Sequence, residues 1–137
     1  MTVIAVVGSR DFDDAILLHQ VLDNVISYRF QNVQLISGGA VGADALVEEY
    51  AEFNGIPFQE YSENIVHRPL SEIDKILAIT DDCDECIAFW NGSSAGTAKL
   101  IEVCRARHIP IRVIPVEPKT RRYNPITGRD RASVCSL

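Results

Sequence analysis

Long hydrophobic runs are missing from this 137-residue chain. The longest wholly apolar stretches, such as Val3 to Val7, span a few residues, where a membrane-crossing helix needs roughly 20. A membrane span is therefore not expected. Met1-Thr2-Val3-Ile4 lacks the basic stretch, apolar segment and small-residue cleavage site of a secretory signal, so a cytoplasmic location is expected. Cysteine is scarce, with Cys83, Cys86, Cys104 and Cys135, and only the first two form a C-x-x-C pair. A zinc site needs two more ligands at matching spacing, and a redox pair opens a helix after a strand, whereas this pair stands just before a strand. The thiols are read as reduced and structural, and no metal is expected. Also absent are a Walker lysine motif and any Ser-His-acid or Cys-His set at recognisable spacing, which weakens kinase and hydrolase readings. No cofactor is implied.

Positive charge is in short supply, with 13 Lys and Arg against 19 Asp and Glu. It is also unevenly placed. Residues 117–137 carry Lys119, Arg121, Arg122, Arg129 and Arg131 against Glu117 and Asp130, a net +3 that leaves −9 on the body. An acidic body repels a polyanion, so extended nucleic acid is a disfavoured partner. The last stretch, with Pro118, Pro125 and Gly128 and no apolar period, reads as a basic, flexible tail at 117–137. Its alternative role is to fold over a partner subunit or an anionic ligand.

What remains, 47% hydrophobic by residue, suffices for one core, assigned to residues 1–116. Apolar runs punctuated by glycine, proline and asparagine alternate between strand and helix. Thr2 to Val7 is a strand, and Asp13 or Asp14 caps a helix to about Tyr28 with Ile16, Leu17, Val21, Leu22 and Val25 inward. Val33 to Ile36 is a second strand and Ala43 to Phe53 a helix stopped at Asn54-Gly55. Ile56 to Tyr61 is a poorer third strand, followed by an irregular stretch and a helix from about Ser71 to Ile79. Cys86 to Trp90, Ala95 to Arg107 and Pro110 to Val116 complete the pattern as strand, helix and strand. Such alternation predicts a Rossmann-like, three-layer α/β/α fold with a mostly parallel five-stranded sheet in the order 3-2-1-4-5.

Ligands of open parallel sheets bind beyond the carboxyl ends of the strands. Three glycine and hydroxyl clusters fall there: Gly8-Ser9-Arg10, then Ser37-Gly38-Gly39-Ala40 with Gly42 and Asp44, then Asn91-Gly92-Ser93-Ser94 with Gly96 and Thr97. Glycine admits close approach of backbone amides to a phosphate, and each following helix N-terminus adds unpaired N–H groups. Taken singly, Gly38, Gly39 and Gly42 also fit tight turns with no ligand. Their recurrence at three strand ends favours one anion-binding pocket. Arg10 supplies the cation, or else pairs with Asp11 or Asp44. Asp44 either complements its helix dipole or accepts from ribose hydroxyls. Trp90 stacks on a base or belongs to the core. His67 and Arg68 cover the pocket as a lid or lie on a surface loop. Glu102, five residues after Thr97, is rotated well away from it on the helix.

The segments GSRDF at 8–12, SGGAVGAD at 37–44 and FWNGSSAGT at 89–97 resemble the SLOG superfamily, and within it the YspA-like or YpsA-related branch, over residues 3–116. The resemblance implies a Rossmann-like domain that recognises nucleotide-derived ligands, including ADP-ribose-type signals in relatives from conflict and defence systems, and a homo-oligomer. Relatives called Lonely Guy are phosphoribohydrolases that use a glutamate in a PGGxGTxxE motif. Here that stretch reads NGSSAGTAKLIE, so Leu100 stands at the glutamate position and Glu102 two residues on. Between 62 and 80 YspA-like proteins carry an alanine-glycine-proline segment and an arginine-asparagine pair, where this chain has SENIVHRP at 62–69. DNA-processing protein A relatives bind single-stranded DNA, which the acidic body here opposes. The leading expectation is a protein that senses or sequesters a nucleotide-derived signal. The alternatives are a nucleoside-phosphate or ADP-ribose hydrolase using Asp44 or Glu102, and an interaction module without a ligand.

Overall fold

The computed structural model describes residues 1–9, 11–27, 32–38, 43–60 and 71–117. Five strands, β1 (Thr2–Gly8), β2 (Val33–Ser37), β3 (Phe58–Glu60), β4 (Glu85–Trp90) and β5 (Ile111–Pro115), alternate with α1 (Ala15–Ile26), α2 (Ala43–Asn54), α3 (Glu72–Asp82) and α4 (Ala95–Ala106). All strand pairings are parallel and the order is β3-β2-β1-β4-β5, the arrangement expected of a Rossmann-like α/β fold.

Alternation along the strands divides the apolar side chains between two layers. Ile4, Val6, Val33, Leu35, Ile87 and Phe89 pack against Leu18, Leu22 and Val25 of α1 and Val47, Tyr50 and Ala51 of α2. Ala5, Ile36 and Cys86 pack on the other side against Ile76 and Ile79 of α3 and Leu100 and Cys104 of α4. The crossovers leaving β1 and β2 therefore take one face, and those leaving β3 and β4 take the other. The direction of winding reverses between β1 and β4, the place where such sheets open a crevice.

Local chemistry sets the element ends. Asp14 caps α1 by accepting from the Leu17 amide at 3.0 Å. Its buried stripe runs Leu18, Leu22, Val25, while Ile16, expected inside, is 73% exposed. The helix starts at Ala15, which places Ile16 opposite the stripe. Gly55, at φ +66°, ends α2, and the Ile56 amide returns to the Ala51 carbonyl at 2.8 Å. β3 is shorter than the expected run from Ile56 because Pro57 has no amide to donate, although its carbonyl accepts from Leu35 at 2.9 Å. Ser71 and Asp74 form a capping box on α3. Arg107, at the end of α4, reaches Thr80 and Asp81 of α3 at 2.9 and 2.6 Å, tying the two helices together. Residues 118–137, with their basic side chains, lie outside the described residues, as do Tyr28 and Tyr61. No described helix is long and apolar enough to cross a membrane.

Candidate ligand-binding site

A cavity of about 700 Å³ opens at the carboxyl ends of β1 and β2, between α3 and the start of α4. Val7 and Gly8 of β1 and Ser37 and Gly38 at the end of β2 form its floor. Lys75, Ile76 and Ile79 of α3 make one wall, and Asn91, Ser94, Ala95, Gly96, Thr97 and Leu100 make the other, with Asp11 at the loop after β1. The floor joins a strand-end backbone to two helices of opposite character: α3 offers two isoleucines and a cation, and α4 offers its N-terminus.

The loops around the cavity are heavily bonded to one another. Ser9 is fully buried, its amide and hydroxyl donate to the Phe89 carbonyl at 3.0 and 3.4 Å, and its Oγ accepts from the Asn91 amide at 3.1 Å. Phe12 stacks on Phe89 with centroids 4.6 Å apart. Ser9 therefore clips the β1 loop to the β4 loop and does not line the cavity. The Asn91 Oδ1 accepts from the Ser93 amide and hydroxyl and from the Ser94 amide, at 2.9, 3.2 and 2.9 Å, while its Nδ2 donates to Asp11 at 3.3 Å. Ser94 caps α4 by accepting from the Thr97 amide at 3.5 Å and donating to the Thr97 hydroxyl at 3.2 Å. Gly92, at φ +86°, supplies the turn that lets Asn91 reach over the loop.

This bonding corrects the expectation of a run of open amides. Those of Asn91, Ser93, Ser94 and Thr97 are already donated, which leaves Ala95 and Gly96 in the first turn of α4 as the amides facing the cavity. Gly8 also has a packing role: a Cβ there would meet the Ala43 Cβ of α2 at 2.8 Å. At Gly38 the nearest atom, Ile79 Cδ1 at 2.9 Å, is the end of a flexible side chain.

Charge is concentrated at the β2–β3 edge. Lys75 is the cation among the described residues lining the cavity. Glu60, the last residue of β3, is near enough to Asp44, in the first turn of α2, to feel its charge. Burial raises Glu60 above the ordinary carboxylate range, as do Asp44 and Glu48, while Lys75 opposes them. The Ser37 hydroxyl and the Asp44 Oδ1 are buried without a hydrogen-bond partner.

Other expected residues lie elsewhere. Trp90 donates its indole N–H to the Ser94 carbonyl at 3.1 Å and is not part of the lining. Gly92 and Ser93 are exposed on the turn. Glu102 pairs with Lys99 at 2.9 Å on the outer side of α4, both well exposed. Arg10, Gly39, Ala40, Gly42, His67 and Arg68 lie outside the described residues. Sequence reasoning missed the whole α3 wall, Lys75, Ile76 and Ile79. The available signal was topological: a helix following β3 must cross to the face of α4 and reach the same crevice.

Cys83, Cys86 and Cys104 sit on the α3–α4 side of the sheet. Cys86 and Cys104 are fully buried, and burial, then Cys104, pushes the Cys83 thiol up to about 12. They are free thiols. Among the described residues, no group of three His, Cys, Asp or Glu side chains is placed to hold a metal ion.

Comparison with known proteins returns a match between residues 2–66 and the YAcAr model, described as the YspA, cpYpsA-related SLOG family. No curated protein and no solved structure matches. The matched segment carries β1 to β3 and the first two glycine clusters, and the family is associated with binding or processing nucleotide-related ligands. Over residues 2–66, the chain is similar to the YspA-like SLOG family.

Proposed function

We propose that the protein captures a nucleotide-derived small molecule of the ADP-ribose type, holding it in the α3–α4 cavity without transforming it. One observation carries this reading: a cavity of about 700 Å³ that sets Lys75 and the Ala95 and Gly96 amides against an apolar wall of Ile76, Ile79 and Leu100. Its cationic half suits a phosphate, and its apolar half suits the flat part of a nucleotide. The buried, unpartnered Ser37 hydroxyl adds a donor at the floor. Arg10 is proposed as a second cation on the anion. Leu100 at the glutamate position of the Lonely Guy motif supports binding over phosphoribohydrolase chemistry.

Incubation with a nucleotide panel, then analysis of what heat denaturation releases, tests the reading. Intact ligand freed only on denaturation is the expected result. Release of a free base or sugar phosphate would instead favour hydrolysis, for which Asp44 and Glu102 are the candidates; Glu102 is exposed and paired with Lys99, which leaves Asp44. Retention of nothing from the panel would favour an interaction module. Arg10→Ala, Gly39→Val and Lys75→Met are each expected to weaken binding in a folded protein, as judged by circular dichroism. Unchanged affinity in all three would remove the proposed pocket. Light scattering tests the expected homo-oligomer.

A further inference from the structure

β5 is an edge strand whose described partner is β4. α4 packs on one of its faces, where Ile111 joins the cluster of Leu100 and Cys104. The opposite face is less covered. Ile114 is the register partner of Phe89, whose side chain belongs to the α1–α2 layer, so Ile114 projects to that side, and Val116 packs against the same layer. Both are half-buried, as are Leu17 and Val21 on the flank of α1. Between the first turn of α1 and the end of β5 lies a second cavity, of about 300 Å³, with Phe12, Leu17, Pro115 and Val116 as its apolar lining.

The rim of this second cavity is acidic, with Asp11, Asp13, Asp14 and Glu117 around it. Arg112, the cation of β5, is set back three residues from Pro115. Asp14 also caps α1 and Asp11 accepts from Asn91, so the rim offers a shared negative field and not idle acceptors. Among the described residues no three acidic, His or Cys side chains are placed to hold a metal ion, so the spaced cations of a polypeptide suit the rim better. The chain itself supplies them. Glu117 lines the cavity, and residues 118–126 directly after it carry Lys119, Arg121 and Arg122 with no acid, together with Tyr123 and Ile126.

We propose that residues 118–126 dock in this second cavity as a strap across α1 and β5. Lys119, Arg121 and Arg122 then meet the acidic rim, and Tyr123 and Ile126 cover the apolar lining. Reach is sufficient: the stretch from Glu117 to Tyr123 spans up to about 20 Å when extended, and Val21 lies only about 6 Å along α1 from Leu17. Asp11 lines both this cavity and the larger one, so the strap sits beside the ligand cavity. The proposal is independent of the ligand reading.

Limited trypsin digestion of the full chain tests it, with a synthetic peptide of residues 117–137 as the unprotected reference. Cleavage after Arg121 and Arg122 is expected to be about tenfold slower in the protein than in the peptide, as for a segment docked about 90% of the time. Raising salt from about 0.05 M to about 0.5 M should remove most of that protection, and so should the double variant Asp13→Asn, Glu117→Gln. If the double variant fails to fold, Tyr123→Ser, which leaves the body intact, replaces it: the Leu17 and Val116 methyl signals in NMR should shift on this substitution, and in the wild type they should show contacts to the Tyr123 ring. Equal cleavage in protein and peptide overturns the proposal, as does protection indifferent to both salt and the rim variant, or a Tyr123 ring in contact with another surface. Protection that grows with protein concentration, alongside a dimer in light scattering, would give the cavity to a second copy and overturn docking within one chain.

Discussion

Tyr50 shows how one hydroxyl joins two helices. It is buried under α1, donates to Asp23 Oδ1 at 2.6 Å and meets the edge of the His19 ring at 4.9 Å. Burial, then the bond and charge of Asp23, raises its pKa above the ordinary tyrosine value. The raised folded value means that the contribution is full below the unfolded tyrosine pKa and disappears as pH climbs through the folded one. Tyr50→Phe should cost about 1 kcal/mol in urea unfolding at neutral pH. In alkaline titration followed by ultraviolet absorbance, one tyrosine of the folded wild type should ionise late, and that late step should be missing from the variant. A second comparison concerns glycine. Gly8→Ala forces its new methyl against the Ala43 Cβ, and should cost about 1–3 kcal/mol, whereas Gly38→Ala should cost less because the Ile79 terminus can turn aside. Equal losses at the two positions would refute the packing role given to Gly8. At Glu60 the sign runs as for Tyr50: its pKa is raised in the fold, so stability declines as pH rises through it, and Glu60→Gln should flatten that decline.

Among the elements, the N-terminus of α4 is where sequence was most informative and most misleading. Asn91, Ser94 and Thr97 were legible as polar groups at a strand-to-helix turn, but not that they would bond one another. The same residue types that serve a ligand also serve a cap, and only the turn geometry decides between them. Ser94→Ala should lower stability by about 1 kcal/mol through the lost cap, measured by thermal unfolding. Asn91→Ala, which strips a shared acceptor from two amides and a hydroxyl, should lower it further. Strand positions were readable because a sheet covered on both faces needs nearly continuous apolar runs such as Cys86 to Phe89. The phase of α1 was not, since Ile16 and Leu18 are equally apolar and only the start at Ala15 separates them. α3 follows a stretch without period, and its part in the cavity depends on which face its crossover takes.

For the molecule as a whole, a parallel sheet covered by helices on both faces was deducible from alternation, whereas the location of the binding crevice relative to the faces was not. The two helical layers bury different amounts of side chain. Large residues, Ile4, Leu18, Leu22, Leu35, Tyr50 and Phe89, gather on the α1–α2 side, while alanine and cysteine are prominent on the α3–α4 side, where the cavity opens. Leu22→Ala on the packed side should therefore cost about 2–5 kcal/mol in chemical unfolding with little change in ligand affinity. A variant that lost affinity in proportion to stability would show the two layers to be one cooperative unit. The Asn91 carboxamide, finally, has a kinetic meaning. A wall whose shape is maintained before any guest arrives spares that guest the entropic toll of ordering it, so encounters on this side resemble docking into a finished berth, and temperature jumps should find no slow rearrangement there.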